Sequence, residues 1–232
     1  NFPLSLAAKK VGPALVMGNS LVLKPSEFTS LSACRLAELA IEAGVPAGVL
    51  NVIHGAGSIV GDALAKHVDV NMLTFTGSSA TGKQLMIAAG QSNMKRLMLE
   101  CGGKSPYIVF DDCPDDLDFV AQDVVANAFP NQGQVCAAGT RLLVHESIKD
   151  KLLPKIIEHT AKIKPMDPLD PECEFGALIN KKQMEKVLSY IEVGQQQGAT
   201  RVYGGEQINF GLDGYYLEPT IFDAVDPAHR IA

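Results

Sequence analysis

The sequence is informative first for what it lacks. No apolar run reaches the roughly 18 residues that a membrane-spanning helix needs, and no basic-then-apolar leader opens the chain. Lysines and arginines nowhere cluster, and the net charge is -6, which speaks against nucleic acid and anionic membrane as partners. The five cysteines, Cys34, Cys101, Cys113, Cys136 and Cys173, are odd in number and scattered. They form no C-x-x-C and no metal-ligand spacing with histidine, so neither a disulfide framework nor a metal site is expected. Low-complexity tracts and internal repeats are missing too. These gaps leave a small molecule as the expected partner and a reducing cytoplasm as the expected compartment.

What is present is an ordinary globular composition, 47% hydrophobic and 20% charged over 232 residues, enough for one large α/β domain or two smaller ones. Short apolar runs at 20–23 and 49–53 flank a helical pattern at 29–44, where Leu36, Leu39, Ala40 and Ala43 oppose Arg35, Glu38 and Glu42. A second round predicts a helix near 58–67, a strand at 72–75, a helix near 80–90 and a strand at 95–100. After Gly102-Gly103 the alternation restarts with strands at 107–110 and 141–145 and helices near 117–129 and 148–162. A long helix carrying Met184, Val187, Leu188 and Ile191 follows, then strands near 201 and 216. Strands alternating with helices imply βαβ units and a parallel sheet, and the runs at 20–23 and 49–53 are of the kind that form buried parallel strands. The double glycine marks a domain boundary, dividing 1–102 from 103–232.

Ligands of open parallel sheets collect at the carboxyl ends of strands, and three segments fall there. Lys24-Pro25-Ser26-Glu27 is either a polar-ligand site or a solvated turn with an ion pair. In Phe75-Thr76-Gly77-Ser78-Ser79-Ala80-Thr81-Gly82 a glycine-bearing turn opens a helix and suits a pyrophosphate. Its spacing departs from the dinucleotide fingerprint, and Gln84 after Lys83 excludes a phosphate-binding P-loop, so a serine-capped helix start also fits. Glu100 ends an apolar strand as either a desolvated general base or a solvent-facing carboxylate. A fourth segment, NQGQVCAAGTR at 131–141, sets Cys136 among small and amide side chains. That suits a nucleophile presented to a ligand, or a thiol packed as a small hydrophobe.

Taken together, NFPL at 1–4, GNSLVLKPSE at 18–27, TFTGSSATG at 74–82, LECGGKSP at 99–106 and NQGQVCAAGTR at 131–141 resemble the NAD(P)-dependent aldehyde dehydrogenase superfamily in order and spacing. The resemblance covers essentially the whole chain. It implies an α/β fold in which part of a parallel-sheet, Rossmann-type cofactor domain (1–102) precedes part of an α/β catalytic domain (103–232). It further implies oxidation of an aldehyde to a carboxylic acid. Cys136 is the implied nucleophile, passing through thiohemiacetal and thioester; Asn1 and the Cys136 N–H would stabilise the oxyanion; Glu100 would activate water to hydrolyse the thioester.

The resemblance assigns cofactor contacts to Lys24, Pro25, Ser26, Glu27 and Gly57, to Phe75, Thr76, Gly77, Ser78 and Gly82, and to Gln183 and Lys186. Glu27 would repel a 2′-phosphate, favouring NAD over NADP. Val135 before the thiol and Cys101 after the carboxylate depart from many relatives without removing a catalytic group. Phe129 and Val135 are expected to wall the substrate site, with a lean toward amino-aldehydes. The chain is expected to be an internal piece of a longer, homodimeric or homotetrameric enzyme, and not to be autonomous. Two other readings stand beside the leading one. A CoA-acylating relative would have no need of Glu100, and a non-catalytic binding or structural protein would have no need of Asn1, Glu100 and Cys136.

Overall fold

The computed structural model describes residues 1–209 and 211–232. The chain forms two compact units, Phe2–Gly102 and Gly103–Ala232, the second also including Asn1.

The first unit opens with helix α1, Pro3–Val16, which starts on a proline and buries Ala7 and Val11 one turn apart. The sequence reading missed this helix, because Gly12, Pro13 and small residues mask its period. Strand β1, Leu21–Leu23, pairs in parallel with β2, Leu50–Val52, and helix α2, Leu31–Glu42, connects them. The predicted polar face of α2 is present, with Arg35 bonded to Glu38 at 2.8 Å and Glu42 at 3.0 Å. The helix expected at 58–67 is a single π turn, Gly57–Gly61, running into a short helix α3, Asp62–Lys66. Strand β3, Met72–Gly77, then pairs in parallel with β4, Arg96–Cys101, with α4, Ser79–Gly90, between them. The core joins Ala65, Leu85 and Ala88 to Leu73, Phe75 and Leu99. Burial along β3 and β4 alternates, leaving Met72 and Met98 exposed. The buried strands expected at 20–23 and 49–53 are not found: β1 and β2 are only partly buried, and Val22 is 46% exposed.

In the second unit, β5, Pro106–Val109, pairs in parallel with β6, Arg141–Val144. Helix α5, Leu117–Ala128, is capped by Asp116, whose carboxylate accepts from the N–H groups of Asp118 (3.1 Å) and Phe119 (3.3 Å). It packs on α6, Glu146–Lys162, in a core of Val109, Val120, Ala121, Val124, Val125, Leu152 and Ile156. Burying each valine, leucine or isoleucine of this core contributes on the order of 1.5–3 kcal/mol. Helix α7, Lys181–Gln196, capped by Asn180, buries Met184 and Ile191 with Leu178 and Leu217. The remaining strands are β7 (Thr200–Tyr203), β8 (Gln207–Ile208), β9 (Tyr216–Leu217) and β10 (Ile221–Asp223). They pair antiparallel, β7 with β10 and β8 with β9. Parallel pairing needs a crossover of about a dozen residues, and the sequence between β8 and β9 is too short for one. Among the described residues the parallel expectation holds for three pairs and fails for these two.

Candidate active site and cofactor-binding residues

Cys136 sits between α5 and β6 in a loop whose backbone takes an unusual path. Asn131 (φ 51°), Gln132 (φ 58°) and Gly133 (φ 71°) are successive left-handed residues. A non-glycine residue in that region costs on the order of 1–2 kcal/mol, so the surroundings must hold the turn in place. Amide side chains do so. Asn131 Nδ2 donates to the Gln134 carbonyl at 3.3 Å, and Gln134 Nε2 donates back to the Asn131 carbonyl at 3.3 Å. Gln134 Oε1 also accepts from Ile179 N–H at 3.2 Å. The partners of Gln132 orient its amide to donate to the Asn131 carbonyl (3.2 Å) and accept from Gly176 N–H (2.7 Å). Immediately after this web Cys136 is exposed, while Ala138 and Gly139 are buried. The residue is exposed, not packed in a core as a small hydrophobe.

Asn131 Nδ2 also lies 3.4 Å from the carbonyl oxygen of Asn1. Positions 1 and 131, far apart in sequence, therefore meet at the Cys136 loop. The sequence reading placed Asn1 in the site but missed Asn131, Gln132 and Gln134, because amide pairing across a loop leaves no periodic signal.

Glu100 belongs to the first unit, exposed near the end of β4. Its carboxylate is open to solvent in this unit. Register places it opposite Thr76 of β3. Thr76 Oγ1 accepts from Lys10 Nζ at 2.8 Å, so an ammonium group stands beside the strand pair that carries Glu100. Lys10 was missed because α1 was missed.

Among the expected cofactor residues, Lys24 Nζ donates to the carbonyls of Pro25 (2.6 Å) and Gly55 (3.2 Å) and stands 4.0 Å from Glu27 Oε2. Ser26 Oγ accepts from Phe28 N–H at 3.3 Å, shaping that turn. Gly57 begins the π turn. Gly77 lies under the Phe75 ring, where an added Cβ would stand 2.4 Å from Phe75 Cζ. Ser78 caps α4, accepting from Thr81 N–H at 3.2 Å. Serine capping and an anion site are compatible, since the cap leaves the other first-turn amides free. Gly82 is buried against Cys101, whose Sγ would be 3.1 Å from an added Cβ. Here a cation stands 4.0 Å from a carboxylate, and a glycine covered by an aromatic ring precedes a serine-capped helix.

Gln183 and Lys186 lie in the second unit. On α7 they line a cleft of about 390 Å³ together with Lys104, Tyr190 and Arg230. The Arg230 guanidinium sits 5.6 Å from the Tyr190 ring centre, within cation–π range. Among the described residues no group of three or more His, Cys, Asp or Glu could hold a metal. No helix among them is long and apolar enough to cross a membrane.

An α/β chain with parallel strand–helix units and a cysteine presented from a strained amide-held loop is the class defined so far. The aldehyde dehydrogenase family model matches residues 1–232. The chain belongs to that family. It is 45% identical over 231 residues to the aminoacetaldehyde dehydrogenase of Pseudomonas aeruginosa, covering 100% of this chain and 46% of that protein. It is 51% identical over 227 residues to the NADP/NAD-dependent aldehyde dehydrogenase PuuC of Escherichia coli, covering 98% of this chain and 45% of that protein. Among solved structures, an indole-3-acetaldehyde dehydrogenase complexed with NAD+ is 57% identical with a TM-score of 0.96, over 99% of this chain and 46% of that one. A gamma-glutamyl-gamma-aminobutyraldehyde dehydrogenase from Burkholderia cenocepacia is 50% identical with a TM-score of 0.94, over 99% of this chain and 46% of that one. The chain thus spans slightly less than half the length of these relatives.

Proposed function

We propose that the protein containing this chain oxidises an aldehyde to a carboxylic acid with NAD. The exposed thiol of Cys136 behind the left-handed turn carries this reading. As a thiolate, Cys136 attacks the aldehyde carbon and forms a thiohemiacetal whose oxygen becomes anionic. The Asn1 side-chain amide and the Cys136 N–H donate to that oxyanion. Asn131, bonded to the Asn1 carbonyl, supports Asn1 in this role. NAD, when bound, supplies the hydride acceptor. The resulting thioester on Cys136 is hydrolysed by water whose proton Glu100 takes, and the exposed position of Glu100 leaves it free to reach water.

Residues 1–102 act as part of the NAD-binding domain and 103–232 as part of the catalytic domain. Lys24 and Glu27 hold ribose hydroxyls, with Pro25, Ser26 and Gly57 shaping that end. Phe75, Thr76, Gly77, Ser78 and Gly82 form the turn that receives the pyrophosphate. Gln183 and Lys186, on α7, approach the ribose. Glu27 disfavours a 2′-phosphate, so NAD is preferred to NADP. The relatives with NAD in their names, and those named for aminoacetaldehyde and indole-3-acetaldehyde, support the shared carbonyl chemistry.

The test is reduction of NAD by the full-length protein across a panel of aldehydes, followed by absorbance. NADH formation that disappears in Cys136→Ala is expected. Full activity in that variant would overturn the reading.

A further inference from the structure

The Cys136 loop is tied to the rest of its unit from the far side as well. Gly139, three residues past the thiol, is buried. Its N–H donates to Asn127 Oδ1 at 2.9 Å. Asn127 is on the last turn of α5, exposed beside the stripe of Val120, Ala121, Val124 and Val125 that is buried. One turn earlier, Asp123 accepts the hydroxyl of Tyr107 from β5. The pair Asp123 and Asn127, spaced i and i+4, therefore grips β5 with one side chain and the cysteine loop with the other.

Gly139 is fitted closely to this grip. A Cβ there would stand 2.7 Å from Asn127 Oδ1 and 3.0 Å from Tyr107 Cβ. One tight turn encloses the thiol residue, Ala138 N–H to the Val135 carbonyl (3.2 Å), and a second centres on Gly139, Thr140 N–H to the Ala138 carbonyl (2.8 Å). These leave little slack. A buried backbone N–H deprived of its acceptor carries a desolvation penalty unless the backbone moves to water. Any such movement of Gly139 is passed to Cys136 through those turns.

We infer that Asn127 is a positioning residue for the Cys136 nucleophile, acting through the Gly139 N–H. It sets the height at which the loop presents the thiol and the Cys136 N–H, without touching substrate. The inference rests on the proposed role of Cys136. It concerns the acceptor atom of Asn127, which aspartate retains and alanine lacks.

The experiment uses the full-length protein and its Asn127→Ala and Asn127→Asp variants. The readouts are the pre-steady-state rate of NADH formation, KM for NAD, and the rate of Cys136 alkylation by iodoacetamide. Misplacement of a reacting group by about 1 Å costs on the order of a hundredfold. Asn127→Ala is therefore expected to lower the NADH formation rate about ten- to hundredfold and to change the alkylation rate. KM for NAD should stay within about twofold, because the cofactor residues are not involved. Asn127→Asp should restore both rates to within about threefold, since its oxygen accepts the same bond. Wild-type rates in Asn127→Ala, or equal losses in both variants, would overturn the inference. If the wild type reduced no NAD with any aldehyde, the functional reading would fail, and the alkylation rates would still decide the positioning role.

Discussion

Asn131 and Gln134 are bonded to each other in both directions, each side-chain amide donating to the other residue's carbonyl at 3.3 Å. This clasp closes the left-handed turn that precedes Cys136. Two such bonds, together with the Ile179 N–H bond at 3.2 Å, offset the backbone strain of the turn.

Removing one half of the clasp should release the loop. Gln134→Ala is expected to cost about 1–3 kcal/mol and to increase proteolytic nicking between Asn131 and Gly139. Urea denaturation and limited proteolysis with peptide mapping measure both effects. An unchanged midpoint and cleavage pattern would show that the clasp does not hold the turn.

The Phe75 ring over Gly77 yields a prediction confined to the first unit. In Gly77→Ala the new Cβ would stand 2.4 Å from Phe75 Cζ, so the ring or the turn must move. The Kd for NAD should rise about tenfold or more, while iodoacetamide alkylation of Cys136 proceeds at the wild-type rate. Calorimetric titration with NAD reads the first quantity. Wild-type affinity would remove this turn from the cofactor site.

Leu152 on α6 is fully buried, at 0% exposure, in the cluster that α5 and α6 share. Truncating such a side chain removes its transfer energy and leaves a cavity, a combined cost of about 2–5 kcal/mol. Leu152→Ala should lower the denaturation midpoint accordingly. Leu169→Ala, at a position 91% exposed, should not.

The hydroxyl of Tyr107 donates to Asp123, and this bond, followed by burial and the nearby carboxylate charge, raises the phenol to about 12 from an ordinary 10.0. The folded state thus holds the proton more tightly than the unfolded state. The bond's contribution is complete below the unfolded value of 10.0 and is lost as pH rises through about 12. Stability should fall across that window, and Tyr107→Phe should flatten the fall. Denaturation at several pH values, alongside ultraviolet tyrosinate titration, checks both. An equal slope in the variant would assign the pH dependence elsewhere.

Much of the architecture was legible because periodicity reports burial. The helix spanning Met184 and Ile191 and the strand pairs flanking α2 and α4 follow from apolar spacing alone. Helix α1 was not legible, since prolines, glycine and alanines hide its single buried stripe of Ala7 and Val11. The antiparallel ending escaped because strands as short as Gln207–Ile208 give no pattern. In the candidate site, Cys136 and Gly77 announce themselves through small neighbours. By contrast, the left-handed conformation of Asn131 and Gln132, the Lys10 bond to Thr76 and the Asn127 bond to Gly139 depend on tertiary geometry. Single-sequence patterning carries no record of such contacts.

The central claim is that Cys136 carries the acyl group and Glu100 removes it. Mass spectrometry of the full-length Glu100→Gln protein, after mixing with NAD and an aldehyde, tests this most directly. With hydrolysis slowed, the peptide containing Cys136 should gain the mass of the aldehyde less two hydrogens, as a thioester requires. An unmodified Cys136 peptide during continued steady turnover, or the acyl group on another residue, would contradict the account.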